Sequence, residues 1–326
     1  MTSHKIAVYY AWSRPGETEA PLGVIENRFP AVFELRRMLY PDLQELADPR
    51  VVDQGIGGFL DHVMKKNFTG FVEQANEQTG HPTLELERLD DHGKKISLDD
   101  SWLKDVDTLI IISFDSIRTA QRVDDVELDA VRSFLSRPGN LLFVSLHHDV
   151  GDVEHATEDE RRRLQEMEFL HHGDKTLPSQ QRFGGFGRSL LAGLGVPVEN
   201  RFGLRPAAEA DGTPSPIEIE SQIDRSLLLD GVTTFNLHHH LPHLERLGDA
   251  VSNLDVLARQ QIDLAAPPHP FTQNGRHTFD ALLQSRAGVF AGDLLVCDAT
   301  LWSSTAGGLD SLHRFWTNVV RRELRS

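Results

Sequence analysis

The chain has 326 residues, of which 39% are hydrophobic and 25% are charged, and its formal net charge is -16 at pH 7. This composition is ordinary for a globular protein and allows one large α/β domain or two smaller ones. The acidic balance argues against a nucleic-acid surface, which needs clustered Lys and Arg, and against docking on anionic lipid. We therefore expect a small molecule as the partner, with no nucleic acid and no membrane.

Cysteine usage and the first residues bear on location. The only cysteine, Cys297, excludes an intrachain disulfide framework and a Cys-rich zinc module. Residues 1–5 lead straight into an apolar strand without the features of a signal peptide. No apolar stretch approaches the roughly 18 residues that cross a bilayer. We therefore expect a cytoplasmic protein.

The first hundred residues predict strands and helices in alternation. Residues 6–10 are β-branched and aromatic, which predicts a first strand, and a loop follows at 12–17. Residues 33–40 predict a short helix that ends before Pro41. A helix of about 15 residues is expected after Gly57-Gly58 from its apolar face. Alternation over residues 83–89 predicts a strand exposed on one side.

The clearest block is a βαβ unit. Residues 107–114 form a continuous apolar run, as in a central parallel strand, and a helix begins at Asp124-Asp125 and ends at Leu135. The next strand is expected at residues 141–144, with a right-handed crossover. The buried stripe of the helix is predicted to comprise Val126, Leu128, Val131, Phe134 and Leu135.

The second half is less regular. Helices are predicted at residues 158–170, 189–195 and 309–324, and strands at 217–223, 233–237 and 292–298. Glycines at residues 184–187 predict a flexible loop before a helix, because no Gly-Lys-Ser/Thr follows them, and no nucleotide cofactor is expected. Residues 264–278 predict a loop. Without a visible linker or repeat, residues 1–326 are expected to form a single domain with insertions near 11–56 and 151–285.

Several segments resemble a known superfamily. LKDVDTLIII at residues 103–112, VELDAVRSFL at 126–135 and GNLLFVS at 139–145 are similar to the class I glutamine amidotransferase-like superfamily, closest to its trehalose-utilisation-type branch. GDLLVCDATLW at 292–302, with Phe315 and Asn318 in the helix that follows, resembles the late strand and closing helix of that branch. The resemblance implies a flavodoxin-like three-layer sandwich, in which a mostly parallel sheet carries helices on both faces.

The resemblance also implies where a nucleophile would lie. Amidotransferases carry a nucleophilic Cys after the strand that matches residues 141–144, whereas this chain has Ser145-Leu146-His147 and no Gly-x-Cys-x-Gly. Cys297, on a different strand, is expected to be a buried small hydrophobe. A Cys-dependent glutaminase is therefore not expected. Because the superfamily has non-catalytic members, fold alone does not decide the activity.

Loops after parallel strands converge at one edge of such a sheet, and this predicts a pocket. Arg can hold a carboxylate or phosphate, and Trp can wall a planar group. The competing interpretation is that Arg14 and Asp115 only cap helices or form surface pairs. The predicted substrate-binding residues are Trp12, Arg14, Glu17, Asp115, Arg118, Asp298 and Trp302.

Histidines supply the candidate chemistry. Strand alternation would place His147 and Asp149 on one side, where a carboxylate can orient an imidazole for general-base work or metal ligation. A structural histidine that ties down a loop is the alternative. His238 and His240 share a face at a two-residue spacing, so His147, His238 and His240 are candidate ligands of a divalent metal, zinc or iron.

The leading hypothesis is a hydrolase or lyase that acts on a small polar substrate. His147 would be the base, Asp149 its orienting partner and Arg14 the substrate anchor, with a metal and a homo-oligomer left open. The alternative is a non-catalytic ligand-binding or scaffold domain of the same fold. Two further options are a transferase or biosynthetic enzyme that uses Asp115 and Asp298 as acid and base, and Ser145 as a nucleophile, although Ser145 lacks the Gly-x-Ser-x-Gly elbow.

Overall fold

The structure is a computed structural model, and the residues that it describes fall in several ranges. These are 4–13, 15, 65–90, 92–115, 119–147, 157–159, 162–163, 166, 183–200, 203–238, 240–266, 270–272, 275–304 and 307–323. In chain order the elements are β1 (Ile6–Ser13), α1 (Lys66–Thr79), β2 (Leu84–Leu89), α2 (Asp100–Leu103), β3 (Thr108–Ser113), α3 (Asp125–Leu135), β4 (Leu141–Leu146), α4 (Gly185–Gly193), β5 (Val198–Glu199), β6 (Gly203–Leu204), β7 (Glu218–Ile219), β8 (Leu241–Pro242), β9 (Glu245–Arg246), α5 (Ala250–Asn253), β10 (Leu254–Gln261), β11 (Thr278–Ser285), β12 (Asp293–Asp298) and α6 (Leu309–Arg321), with 3-10 turns at Pro270–Thr272 and Ala299–Trp302.

One mixed sheet organises the fold. Its eight strands follow the order β2-β1-β3-β4-β12-β11-β10-β7. The strands from β2 to β12 in that order are parallel, and β11, β10 and β7 extend the sheet in antiparallel fashion. β3 and β4 are buried along their whole length, which explains why most of their residues are apolar. The predicted α/β class with a mostly parallel core of strands is confirmed.

Helices cover both faces of the sheet. Because successive strand residues point to opposite faces, the core is divided in two. One half contains α1 and α6 with the indole of Trp302, and the other contains α3 and α4 with the ring of Phe186. The longest helix among the described elements, α1, has 14 residues, and no described helix is long and apolar enough to cross a membrane.

The strands and the helix of the βαβ unit lie where the sequence predicts them, and β4 runs two residues further, to Leu146. α3 begins where predicted because Asp124 and Glu127 form a capping box, with the Glu127 N–H 2.9 Å from Asp124 Oδ1. The predicted stripe is wrong at Val126, which is 66% exposed. Glu127 is buried in its place because the guanidinium of Arg88 binds both of its carboxylate oxygens, at 3.1 and 3.0 Å. The predicted inner face of α6 is confirmed, since Leu312, Phe315 and Val319 are buried.

Other expectations need correction. Residues 233–237 form no strand, and the predicted strand at 217–223 is reduced to β7. The loop predicted at 184–187 is instead the start of α4, because Gly184 is the N-cap and residues 185–187 belong to the helix, while the helix expected after it is confirmed. β10 and β11 were not predicted as strands, and they join the main sheet although they fall in the stretch expected to be an insertion. The predicted helices at 33–40 and, for the most part, 158–170 lie outside the described residues, and the single-domain organisation stays a prediction.

Candidate functional site

The ends of three adjacent parallel strands bring the candidate residues to one edge of the sheet. In the register of the sheet, Ser113 of β3 pairs with Leu146 of β4, and Leu146 pairs with Asp298 of β12. His147, the residue after Leu146, therefore lies at the same edge as Asp298. This is the arrangement on which the sequence hypothesis depended.

His147 is held at this edge of the sheet by backbone hydrogen bonds and by aromatic packing. Its backbone N–H lies 3.3 Å from the carbonyl oxygen of Ser113, and its own carbonyl accepts a hydrogen bond from the side-chain amide of Asn200. Its ring packs against those of Phe114 and Phe183, with centroid distances of 4.2 and 5.0 Å. Only 6% of the residue is exposed, so His147 occupies an enclosed position.

Two further histidines stand next to His147. The ring centroids of His147 and His238 are 6.3 Å apart, and those of His238 and His240 are 6.2 Å apart. The backbone N–H of His240 approaches Nδ1 of His238 at 3.4 Å. The structure thus brings together all three residues that were predicted as metal ligands.

These three rings do not form a metal site as they stand. Two imidazoles on one tetrahedral zinc ion have centroids about 5 Å apart, given Zn–N distances of about 2 Å. The observed separations of 6.3 and 6.2 Å are wider. Within the described part of the chain, no group of three His, Cys, Asp or Glu side chains could hold a metal ion. The zinc or iron site stays a prediction, and we route no chemistry through it.

Four of the predicted site residues lie outside the described residues. They are Arg14, Glu17, Arg118 and Asp149. The substrate anchor and the carboxylate partner of His147 therefore stay predictions.

The two predicted tryptophan walls are core residues in the structure. Trp302 has no exposed surface, and its ring meets Phe71 and Phe143 edge to face, each at 4.8 Å. Trp12 is 2% exposed, stacks on Tyr10 at 5.0 Å and donates from Nε1 to Glu87 across 2.9 Å. Both side chains lie in the hydrophobic core, and their role in substrate binding stays a prediction.

Asp115 anchors the start of α4. Its carboxylate accepts hydrogen bonds from the Ser113 hydroxyl at 2.6 Å and from the backbone N–H of Phe186 at 2.9 Å. Burial raises the pKa of this carboxyl to about 6, although these hydrogen bonds oppose the shift. The alternative noted from the sequence, that Asp115 serves a helix terminus, fits these contacts.

Asp298 is the second buried acid at this edge. Its Oδ1 accepts from the backbone N–H of Thr300 at 2.8 Å and from the Thr300 hydroxyl. Its Oδ2 has no hydrogen-bond partner among the described residues. Burial raises the pKa of Asp298 to about 7, well above the usual value of an aspartate.

Ser145 and Cys297 lie in the core beneath this edge of the sheet. The Ser145 hydroxyl accepts from the indole N–H of Trp302 at 2.8 Å, and the Cys297 thiol lies 3.3 Å from the same oxygen. Neither residue has exposed surface, and burial raises the pKa of the thiol to about 12. These contacts give both residues a structural role.

Asn236, which links Thr300 to the segment that carries His238, was not predicted from the sequence as a site residue. Asn236 has no exposed surface and bonds both to Thr300 and to the backbone of His238. A polar side chain that binds the backbone N–H two residues ahead is an Asx-type pattern, and it occurs here at both Asn236-x-His238 and Asp298-x-Thr300. That local pattern was visible in the sequence, but the contact between Asn236 and Thr300 was not.

Two cavities open at the opposite, amino edge of the sheet. Their volumes are about 270 and 330 Å³, and both are lined by Arg225 and Arg322. The charges there are already compensated, because Arg225 pairs with Asp293 and Arg322 pairs with Asp107. We therefore take the carboxyl edge of the sheet, where Asp115, Asp298, His147 and His238 lie, as the candidate site.

Comparison with known proteins adds no family to this picture. The chain matches no protein-family model, and no curated protein matches it. The similarity to the class I glutamine amidotransferase-like superfamily therefore depends on the sequence segments and the strand order, and we treat it as a proposal.

Proposed function

We propose that the chain is an enzyme, a hydrolase or lyase, that acts on a small polar molecule with His147 as the base. The observation that carries this proposal is the approach of the half-buried His238 to the buried His147, with ring centroids 6.3 Å apart, at the sheet edge where Asp298 also lies. In open α/β sheets, ligands bind outside the carboxyl ends of the strands. Groups with shifted pKa values collect at functional sites, and Asp298 and Asp115 are two such groups.

The chemistry of the base follows from imidazole itself. In a hydrolysis, His147 takes one proton from water while the oxygen attacks the substrate, and the imidazolium then gives that proton to the leaving group. In an elimination, His147 takes a proton from carbon and the leaving group departs with the bonding electrons. Asp149 would orient the imidazole, and Arg14 would hold an anionic group of the substrate.

The strand order supports a more specific fold assignment. The segment β2-β1-β3-β4-β12 has the 2-1-3-4-5 order of flavodoxin-like sheets. We therefore propose a flavodoxin-like three-layer sandwich and distant membership of the class I glutamine amidotransferase-like superfamily. The buried thiol of Cys297 supports an activity that does not depend on a nucleophilic cysteine.

The test uses the full-length chain without a histidine tag. Small esters, amides, lactones and hydroxy acids are supplied with and without Zn²⁺, Fe²⁺ or Mn²⁺, and acid release or new ultraviolet absorbance reports turnover. His147→Gln should lower turnover by about 10²–10⁴-fold, the usual contribution of a general base. His81→Gln, at an exposed histidine, is the matched control. Full turnover in His147→Gln would refute the base assignment, and metal content measured on the same sample tests the zinc or iron prediction.

The second candidate is a non-catalytic ligand-binding or scaffold domain. It is favoured by the observation that Trp12, Asp115 and Trp302 are bound into the structure. Against it, such a domain would be expected to have a shallow, exposed region around His147, and that residue is 6% exposed. A compound that shifts the His147 and His238 signals without being consumed would support this alternative. We further propose a cytoplasmic location and leave self-association to a mass measurement in solution.

A further inference from the structure

The segment that carries His238 lacks regular secondary structure, yet its centre is completely buried. Residues 232–238 form neither helix nor strand, and Phe235 and Asn236 have no exposed surface. Phe235 is anchored by apolar packing, with its ring 6.3 Å from that of Phe315. Buried backbone outside helices and sheets needs other hydrogen-bond partners. The Asn236 amide provides one of them, for the backbone N–H of His238.

Asn236 makes hydrogen bonds to three different residues. Its Nδ2 donates to Oγ1 of Thr300 at 2.9 Å, and its Oδ1 accepts from the backbone N–H of His238 at 3.0 Å. Its carbonyl oxygen accepts from Nε2 of Gln260, in β10, at 3.2 Å. Asn236 therefore ties His238 both to the end of β12 and to β10.

The chemistry of the partners fixes the orientation of the Asn236 amide. The single hydroxyl hydrogen of Thr300 is donated to Asp298 Oδ1, so the Thr300 oxygen can only accept from Asn236. The backbone N–H of His238 can only donate. A rotated amide would place two acceptors together at Thr300 and two donors together at His238. Asparagine in one orientation satisfies both ends, whereas aspartate cannot donate to Thr300.

This fixed amide holds the backbone of His238, whose ring faces His147. The ring is 6.3 Å from that of His147, and its Nδ1 lies 3.4 Å from the backbone N–H of His240. Nδ1 therefore acts as an acceptor, and a neutral His238 carries its proton on Nε2. The backbone of His238 is thus held by Asn236, and its ring accepts from the backbone of His240.

We propose that Asn236 is a positioning residue that sets the imidazole of His238 against His147, with Thr300 and Asp298 as its anchor. The proposal rests on the proposed function only for the use of the histidine pair. A purely structural asparagine would stabilise the fold without affecting the two rings, and this difference can be measured.

The experiment compares variants of the full-length chain by NMR of ¹⁵N-labelled histidine rings. Asn236→Ala removes the amide, and Thr300→Val removes the hydroxyl that anchors it while keeping a branched side chain. Thr300→Ser restores the hydroxyl. Asn140→Ala is the matched control, because Asn140 is also a buried asparagine, bonded to the carbonyl of Phe134 at 2.9 Å, but lies at the amino edge of the sheet. His147→Gln and His238→Gln assign the signals.

Asn236→Ala and Thr300→Val should lose the nuclear Overhauser contact between the His147 and His238 rings and alter the Nδ1 and Nε2 shifts of His238. Thr300→Ser and Asn140→Ala should keep both. Retention of the contact in Thr300→Val, or its equal loss in Asn140→Ala, would overturn the proposal. If Asn236→Ala does not fold, Thr300→Val decides the question. Because no substrate takes part, this result is independent of the turnover test for the proposed function.

Discussion

Asp115 accepts a hydrogen bond from the backbone N–H of Phe186 across 2.9 Å, and this contact joins the end of β3 to the first turn of α4. A carboxylate placed at a helix N-terminus accepts from a backbone N–H that has no acceptor within the helix. The same carboxylate also accepts from Ser113. The residue therefore holds α4 on the sheet beside the candidate site.

Asp115→Ala is expected to lower the free energy of unfolding by about 2 kcal/mol, because it leaves buried donors without an acceptor. Urea unfolding below pH 4 measures this loss, because near and below the unfolded pKa of 3.8 the acid is largely neutral in both the folded and the unfolded chain, so the substitution relieves little ionisation cost. Asp115→Asn is the control, because its amide oxygen can still accept from Phe186. Wild-type stability in Asp115→Ala would contradict the anchoring role.

Asp298 should make stability depend on pH. Burial raises the pKa of this acid from 3.8 to about 7, so the folded chain keeps a proton that the unfolded chain has already lost. The stability that the neutral acid contributes is fully present below pH 4, and it is lost as the pH rises through about 7. Relative to wild type, Asp298→Asn should gain about 3 kcal/mol of unfolding free energy between pH 5 and pH 8.

Urea unfolding of both proteins at several pH values measures this difference for Asp298. Asp211→Asn is the control, because Asp211 is exposed and its pKa is lowered by hydrogen bonds from Thr213. Its stability relative to wild type should not change over the same range. Parallel curves for Asp298→Asn and wild type would show that Asp298 is ionised throughout.

Gly187 allows α4 to lie close to the sheet. A Cβ atom at this position would be 2.5 Å from Cδ2 of Leu146 and 3.0 Å from Cβ of Ser113. Gly187→Ala should therefore lower the free energy of unfolding by about 1–3 kcal/mol, as overpacking does. Gly70→Ala is the matched control in α1, where the nearest atom would be 3.4 Å away, and it should stabilise by about 0.5–1 kcal/mol. Equal stability of the two variants would contradict the close contact.

The parts of the fold that sequence predicted share one physical origin. β3 and β4 are buried on both faces, and α3 begins at a capping box, so each signal lies within one segment. β10 and β11 are antiparallel and carry the charged residues Arg259 and Asp280, which pair with each other at 3.1 Å. These charged residues interrupt the apolar pattern of β10 and β11. Each is accommodated by its partner on the neighbouring strand, which a single segment of sequence does not show.

In the candidate site, too, local features were predictable and contacts between distant segments were not. The position of His147 followed from the end of a strand, and its neighbour His238 was proposed from a local spacing. Their approach to 6.3 Å depends on Asn236 and Thr300, which meet only in the folded chain. The segment at 233–237 was predicted as a strand from its composition. Side-chain hydrogen bonds hold it in place of a strand ladder, and composition does not record such bonds.

The pairing of Ser145 with Trp302 distinguishes a core residue from a nucleophile. Ser145→Ala leaves the buried indole N–H without its acceptor and should lower the free energy of unfolding by about 2 kcal/mol. Trp302→Phe removes the donor, and in the double variant the two losses should fall short of additivity by about 1 kcal/mol. Ser252→Ala, at an exposed serine, is the control. Unchanged stability in Ser145→Ala together with abolished turnover would instead identify Ser145 as the nucleophile.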